Sequence, residues 1–166
     1  MLLAAFAFSG TAHAAILTWD IVTTPDGAIT DGNGNWDDDV TNNWTADDGD
    51  SNQNFVDANN DRAIFGNGAG GTVTMQSDVR PFGGGITFND AYTIDTNGNQ
   101  LGGQGGNITS NASGVNISGS GNYNLFTTTT ITTSAGNDIT FSAQVTGSHS
   151  LQKTGNGTMI LSNDSN

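Results

Sequence analysis

The stretch "ITFNDAYTIDTNGNQLGGQGGNITSNASGVNISGSGNYNLFTTTTITTSAGNDITF", residues 86–141, decides how this chain folds. Short apolar–polar–apolar triplets ("ITF", "YTI", "VNI", "ITF") alternate with runs of Gly, Asn, Ser and Asp. Such triplets put their first and third residues on one face of a strand. The runs between them carry turn chemistry.

The triplets recur in three interleaved series. The first runs Ile86/Phe88, Ile108, Ile131, Leu151, with steps of 22, 23 and 20. The second runs Tyr92/Ile94, Val115/Ile117, Ile139/Phe141, Met159/Leu161, with steps of 23, 24 and 20. The third runs Leu101, Leu125, Val145, with steps of 24 and 20. A period of about 20–24 residues holding three short strands and three turns predicts a solenoid, an all-β parallel β-helix. One coil cannot bury its inward residues alone, whereas stacked coils make a continuous core and pair each strand with those above and below. The alternative is an antiparallel β-sandwich, which also yields short alternating strands but does not require three series with matched steps. The inward positions expected are Ile86, Phe88, Ile94, Leu101, Ile108, Val115, Ile117, Leu125, Ile131, Ile139, Phe141, Val145, Leu151, Met159 and Leu161.

Composition agrees. All sixteen acidic residues are Asp, with no Glu, and only three residues are Lys or Arg. Asp favours turns and caps where Glu favours helix interiors. The formal charge of −13 offers no basic surface for nucleic acid or for an anionic membrane. With no cysteine, neither disulfides nor thiolate metal sites are available.

The N-terminus, "MLLAAFAFSGTAHA", has an apolar stretch and then Ala12 and Ala14 in an A-x-A pattern. It reads as a secretory signal peptide over 1–14, lacking only the basic n-region, with Ala15 as the mature first residue. The apolar run is too short to cross a bilayer as a helix. Beyond it the chain divides into an acidic, Trp-bearing cap segment, 15–65, and a nearly neutral body of coils, 66–166. Eleven Asp lie between Asp20 and Asp61, and the first basic residue after the signal is Arg62. Trp19, Trp36 and Trp44, with Phe55 and Phe65, are expected to cover the N-terminal end of the coils, since each large aromatic must bury about 200 Å². At the other end "LQKTGNGTMILSNDSN" (151–166) reads as a coil within the series with no cap after it. The chain is expected to be the N-terminal portion of a longer one.

That last phrase resembles the autotransporter-associated β-strand repeat, roughly L-x-K-x-G-x-G-T-L-x-L-x-G-x-N. Leu151, Lys153, Gly155, Gly157, Thr158 and Leu161 match it, Asn166 falls one position past the closing Asn, and Met159 and Asn163 depart from it. Upstream, Trp19-Asp20, Gly34/Trp36, Asn43-Trp44, Asp61/Ala63/Phe65, Gly85–Phe88 and Tyr92–Ile94 are similar to the N-terminal segment of such proteins. The resemblance implies a β-helical passenger, exported and displayed on a bacterial surface. It marks a family and says little of activity.

Calcium is the sharpest chemical candidate. Asp57, Asn59 and Asp61 in "DANND", like Asp31/Asn33/Asn35 and Asp48/Asp50/Asn52/Asn54, place oxygen ligands at alternate turn positions. A complete calcium loop needs a bidentate Glu, which this chain lacks. Asx-turns are therefore the favoured reading of these clusters. Catalysis has weaker support. Arg62, Arg80 and Lys153 are far apart, the body's Asp residues are scattered, and His149 stands alone in "TGSHSL". No serine sits in a nucleophile elbow. "GNGAGG" (66–71) has no helix after it to make a phosphate site. The sequons "NWT", "NIT", "NAS" and "NIS" arise by chance in so Asn/Thr-rich a chain.

The expected function is that of a secreted or surface-exposed, adhesin-like or structural fragment without catalysis or cofactor, whose partners are glycans or another cell surface. One alternative is a glycan-active β-helix enzyme with catalytic coils beyond residue 166. Another is a calcium-stiffened surface-layer or matrix protein.

Overall fold

A computed structural model describes residues 14–24, 26–81 and 83–163. The expected signal peptide lies outside the described residues except for Ala14. The chain forms a parallel β-solenoid of about four turns, with 2% helix.

The strands follow in chain order. β1 (Ile16–Trp19) and β2 (Gly34–Trp36) come first, then a short β3 (Trp44–Thr45) and β4 (Asn52–Gln53). A single 3-10 turn, Asp57–Asn59, leads to β5 (Arg62–Phe65) and β6 (Gly71–Met75). Three full coils follow: β7 (Ile86–Phe88), β8 (Tyr92–Asp95) and β9 (Gln100–Gly103); β10 (Ile108–Ser110), β11 (Val115–Ser118) and β12 (Asn122–Leu125); β13 (Thr129–Thr133), β14 (Asp138–Phe141) and β15 (Gln144–Gly147). The last described rungs are β16 (Leu151–Thr154) and β17 (Thr158–Leu161).

These stack into three sheets. The first has the order β16-β13-β10-β7-β5-β1-β3-β4, the second β17-β14-β11-β8-β6-β2, and the third β15-β12-β9, with a bridge from Val79 to Leu101. All pairings are parallel except β1–β3 and β3–β4. Positive-φ glycines turn several corners where neighbouring coils touch. A Cβ on Gly85 (φ 75°) would come within 2.3 Å of the Asn107 carbonyl oxygen in the next coil.

The register of the second series is as the sequence predicts: Ile94↔Ile117, Ile117↔Phe141 and Phe141↔Leu161. The other two series each need one correction. Ile131 pairs with Lys153, so Leu151 belongs beside Thr129. Leu101 pairs with Tyr123 and Tyr123 with Val145, so Leu125 lies one inward position further along. In both places the nearest aliphatic residue was an inward residue two positions away from the true partner. Strand parity preserved the face while hiding the slip.

Eleven of the fifteen expected inward positions, from Ile86 to Phe141, are buried in one continuous core. Val145, Leu151 and Met159 are only partly buried, and Leu161 is 47% exposed. Among the described residues no further rung stacks on β15, β16 and β17.

The N-terminal boundary also differs from expectation. β1 and β2 are parallel rungs beneath β5 and β6, so part of the acidic segment is the first coil. The covering element is the insertion 37–61, which carries β3, β4 and the 3-10 turn. The expected aromatics meet there. Trp44 lies 5.1 Å from Trp19, 5.3 Å from Trp36, 5.1 Å from Phe55 and 5.2 Å from Phe65. Phe65 stacks on Phe88 of the following coil at 5.4 Å, which joins the cap to the solenoid core.

Candidate interaction surface and acidic insertion

The outward residues of each sheet line up rung upon rung, because parallel pairing in register repeats every position at the strand spacing of about 4.8 Å. On the first sheet Thr87, Thr109, Thr132 and Thr154 form one column. On the second, Thr72, Thr93, Asn116 and Thr140 form another. On the third, Gln100, Asn122 and Gln144 do the same. Neighbours within these faces bond to one another: the Thr132 and Thr154 hydroxyls are 2.8 Å apart, and the Ser142 hydroxyl donates to Asn116 Oδ1 at 2.9 Å. At a corner, Asn111 Nδ2 donates to Asn89 Oδ1 at 3.0 Å. These columns are uncharged hydroxyl and amide stripes, flanked on the second sheet by a line in which Asp95 sits between Thr74 and Ser118, and the described residues enclose no cavity of ligand size.

The Asp residues have a common task. Asp20 Oδ1 accepts from the Val22 and Thr30 amides at 3.1 and 3.2 Å, and Asp37 Oδ1 from Thr41 N at 2.7 Å. Asp78 Oδ1 accepts from Gln100 N at 2.8 Å, across to the next coil. The short Asp side chain suits such bonds to nearby backbone amides. Asp20 is completely buried, and neither its Oδ2 nor the buried Oδ1 of Asn52 has a donor among the described residues.

The calcium candidates are engaged in the same way. Asp57 Oδ2 accepts from the Arg80 amide at 2.8 Å, and the Asp57 amide donates to Asp38 Oδ1 at 2.9 Å. Burial, reinforced by the Asp38 charge, pushes the Asp57 carboxyl up to about 6, against the opposing effect of the Arg80 amide and guanidinium. Asp61, 3% exposed, accepts from the Ala15 amide at 2.9 Å. The two carboxylates thus serve different strands. Among the described residues, no three acidic or histidine side chains converge as a metal site would require. Asn59 closes the 3-10 turn through its amide, which donates to the Val56 carbonyl at 3.1 Å.

The basic groups do not gather either. Arg80 pairs with Asp78 at 3.6 Å and lies over the Phe126 ring at 5.1 Å. Lys153 Nζ donates to the Gly155 carbonyl at 2.9 Å, and His149 Nδ1 to the Leu125 carbonyl at 3.2 Å. What sequence reasoning missed is Asp57 as a titrating peg and Tyr123 as a core residue. The first has no sequence signal beyond its turn, while the second was legible from a 22-residue step on either side.

No protein-family model matches the chain, and no curated protein or solved structure matches it at a significant level.

Proposed function

We propose that the chain is an exported, non-catalytic β-solenoid segment of a bacterial surface protein, with a structural or adhesive role. The observation that supports this most is the exterior itself: uncharged Thr, Asn and Gln columns repeated rung by rung over a stiff scaffold. Hydroxyl and amide groups spaced at a regular interval complement polyhydroxyl surfaces, many weak contacts adding up along the rod. The resemblance of residues 151–166 to the autotransporter-associated repeat, and the A-x-A pattern before Ala15, support export.

The reading is tested by expressing the gene in a Gram-negative host, fractionating the cells and sequencing the product's N-terminus. The expected product is extracytoplasmic and begins at Ala15. Polysaccharide-coated beads should retain it, without depolymerisation of the glycan. A cytoplasmic product that keeps Met1, or one that cleaves the polysaccharide, overturns the reading.

A further inference from the structure

We propose that hydrolysis of the Ala14–Ala15 peptide bond sets a new α-ammonium against the buried carboxylate of Asp61, and that this ion pair locks the first rung of the solenoid. The inference rests on the export reading and gives it a structural consequence. Three observations meet at one atom.

The first is geometric. Ala15 N donates to Asp61 Oδ1 at 2.9 Å, and Ala15 O accepts from Arg62 N at 2.8 Å. Residue 15 is thereby clamped on both sides to the start of β5, one position before β1 begins.

The second is electrostatic. Asp61 is 3% exposed, yet the one ion pair among the described residues lies elsewhere, between Arg80 and Asp78. A buried carboxylate without a counter-charge is costly, and an amide N–H offsets that cost only in part. A positive charge on the nitrogen already in contact would supply the missing partner without moving any atom of the strand.

The third is the sequence. The A-x-A pattern at Ala12 and Ala14 ends at the bond whose cleavage exposes that nitrogen. Ala14 is exposed while Ala15 is half-buried, so burial begins to rise at this bond.

The chemistry needs only water and a signal peptidase. Water delivers its hydroxyl to the Ala14 carbonyl carbon and a hydrogen to Ala15 N. The proton shed by the new Ala14 carboxyl group leaves the amine as an ammonium. Asp61 thus acts as a positioning residue for the processed terminus.

The test is a double-mutant cycle on the chain that begins at Ala15. Melting temperatures are measured for the free and Nα-acetylated forms, each with Asp61 and with Asp61→Asn. Acetylation should lower the melting temperature by several degrees in the Asp61 chain and by less than one degree in the Asp61→Asn chain. Equal losses in both would overturn the proposal. Should the Asp61→Asn chain fail to fold, the free-amine chain is compared with the acetylated chain and with one extended by Ala14, which moves the charge about 3.8 Å along the backbone. Melting of all three within one degree would likewise overturn it. The cycle is run in vitro, so failure of export in cells would sink the functional reading while leaving the Asp61 result separate.

Discussion

The carboxylate of Asp57, in the insertion, closes the free edge of the third face by accepting the backbone N–H of Arg80 at 2.8 Å. Asp57 is also the carboxyl whose titration burial moves furthest toward neutrality, to about 6. A raised folded-state value favours the protonated fold. This contribution is fully present below the unfolded value of about 4 and is lost as pH rises through 6. Asp57→Asn should therefore flatten the fall in stability between pH 5 and pH 7. Allowing for the side chain's partial exposure, the difference is about 1 kcal/mol or less. Urea melts of both chains at the two pH values measure it, and parallel pH profiles would disprove it.

Phe65 is the pin of the aromatic cluster, with rings of Trp19, Trp36, Trp44, Phe88 and Tyr92 all within 5.7 Å of its own. Phe65→Ala should cost about 3–5 kcal/mol, the usual range for a buried aromatic truncation. Thr109→Ala, on the outward column, should stay within about 0.5 kcal/mol. Equilibrium unfolding of the two variants checks the contrast, and comparable losses would mean that the cluster does not anchor the fold.

Two glycines separate backbone strain from crowding. Gly136 (φ 81°) has open space where a Cβ would go, whereas Gly85 (φ 75°) faces the Asn107 carbonyl. Gly136→Ala should cost about 1–2 kcal/mol for the left-handed backbone alone. Gly85→Ala should cost clearly more, because the next coil must also shift. A reversed order, read from thermal melts, would contradict the stacking.

Replacing residues 38–60 by a short flexible linker should yield a soluble-to-aggregated shift in size-exclusion chromatography. The insertion supplies β3, which pairs with β1, β4, which pairs with β3, and Asn43 Nδ2, which donates to the Asn35 carbonyl on β2 at 3.0 Å. Removing it bares two sheet edges at once. A monomeric, folded product would show that the edges need no cover.

Much of the fold was legible because a solenoid repeats its evidence: the Ile94–Ile117–Phe141 line could be read from one series alone. The slips at Leu125 and Leu151 share one cause. Apolar matching prefers Leu125 to Tyr123 and Leu151 to Lys153, while the ladder follows backbone count through turns of unequal length. The first coil was less legible. A 25-residue insertion from 37 to 61 separates β2 from β5, so Trp19 and Trp36 looked like parts of a cap although they sit on rungs. The surface columns follow from the register once it is known. The edge-closing role of Asp57 does not, because its partner, Arg80, lies 23 residues away on a stretch with only an isolated bridge.

The parallel ladders also fix how the molecule bears load. Each coil is held to its neighbours along three sheets, by bonds between residues about one period apart, so tension along the axis meets a shallow stack instead of one deep shear interface. Peeling from a terminus releases a coil at a time. Each coil of about 22 residues then adds about 75 Å of contour, at ~3.4 Å per extended residue. A stack of this kind should yield in even steps, spreading the work over many separate events.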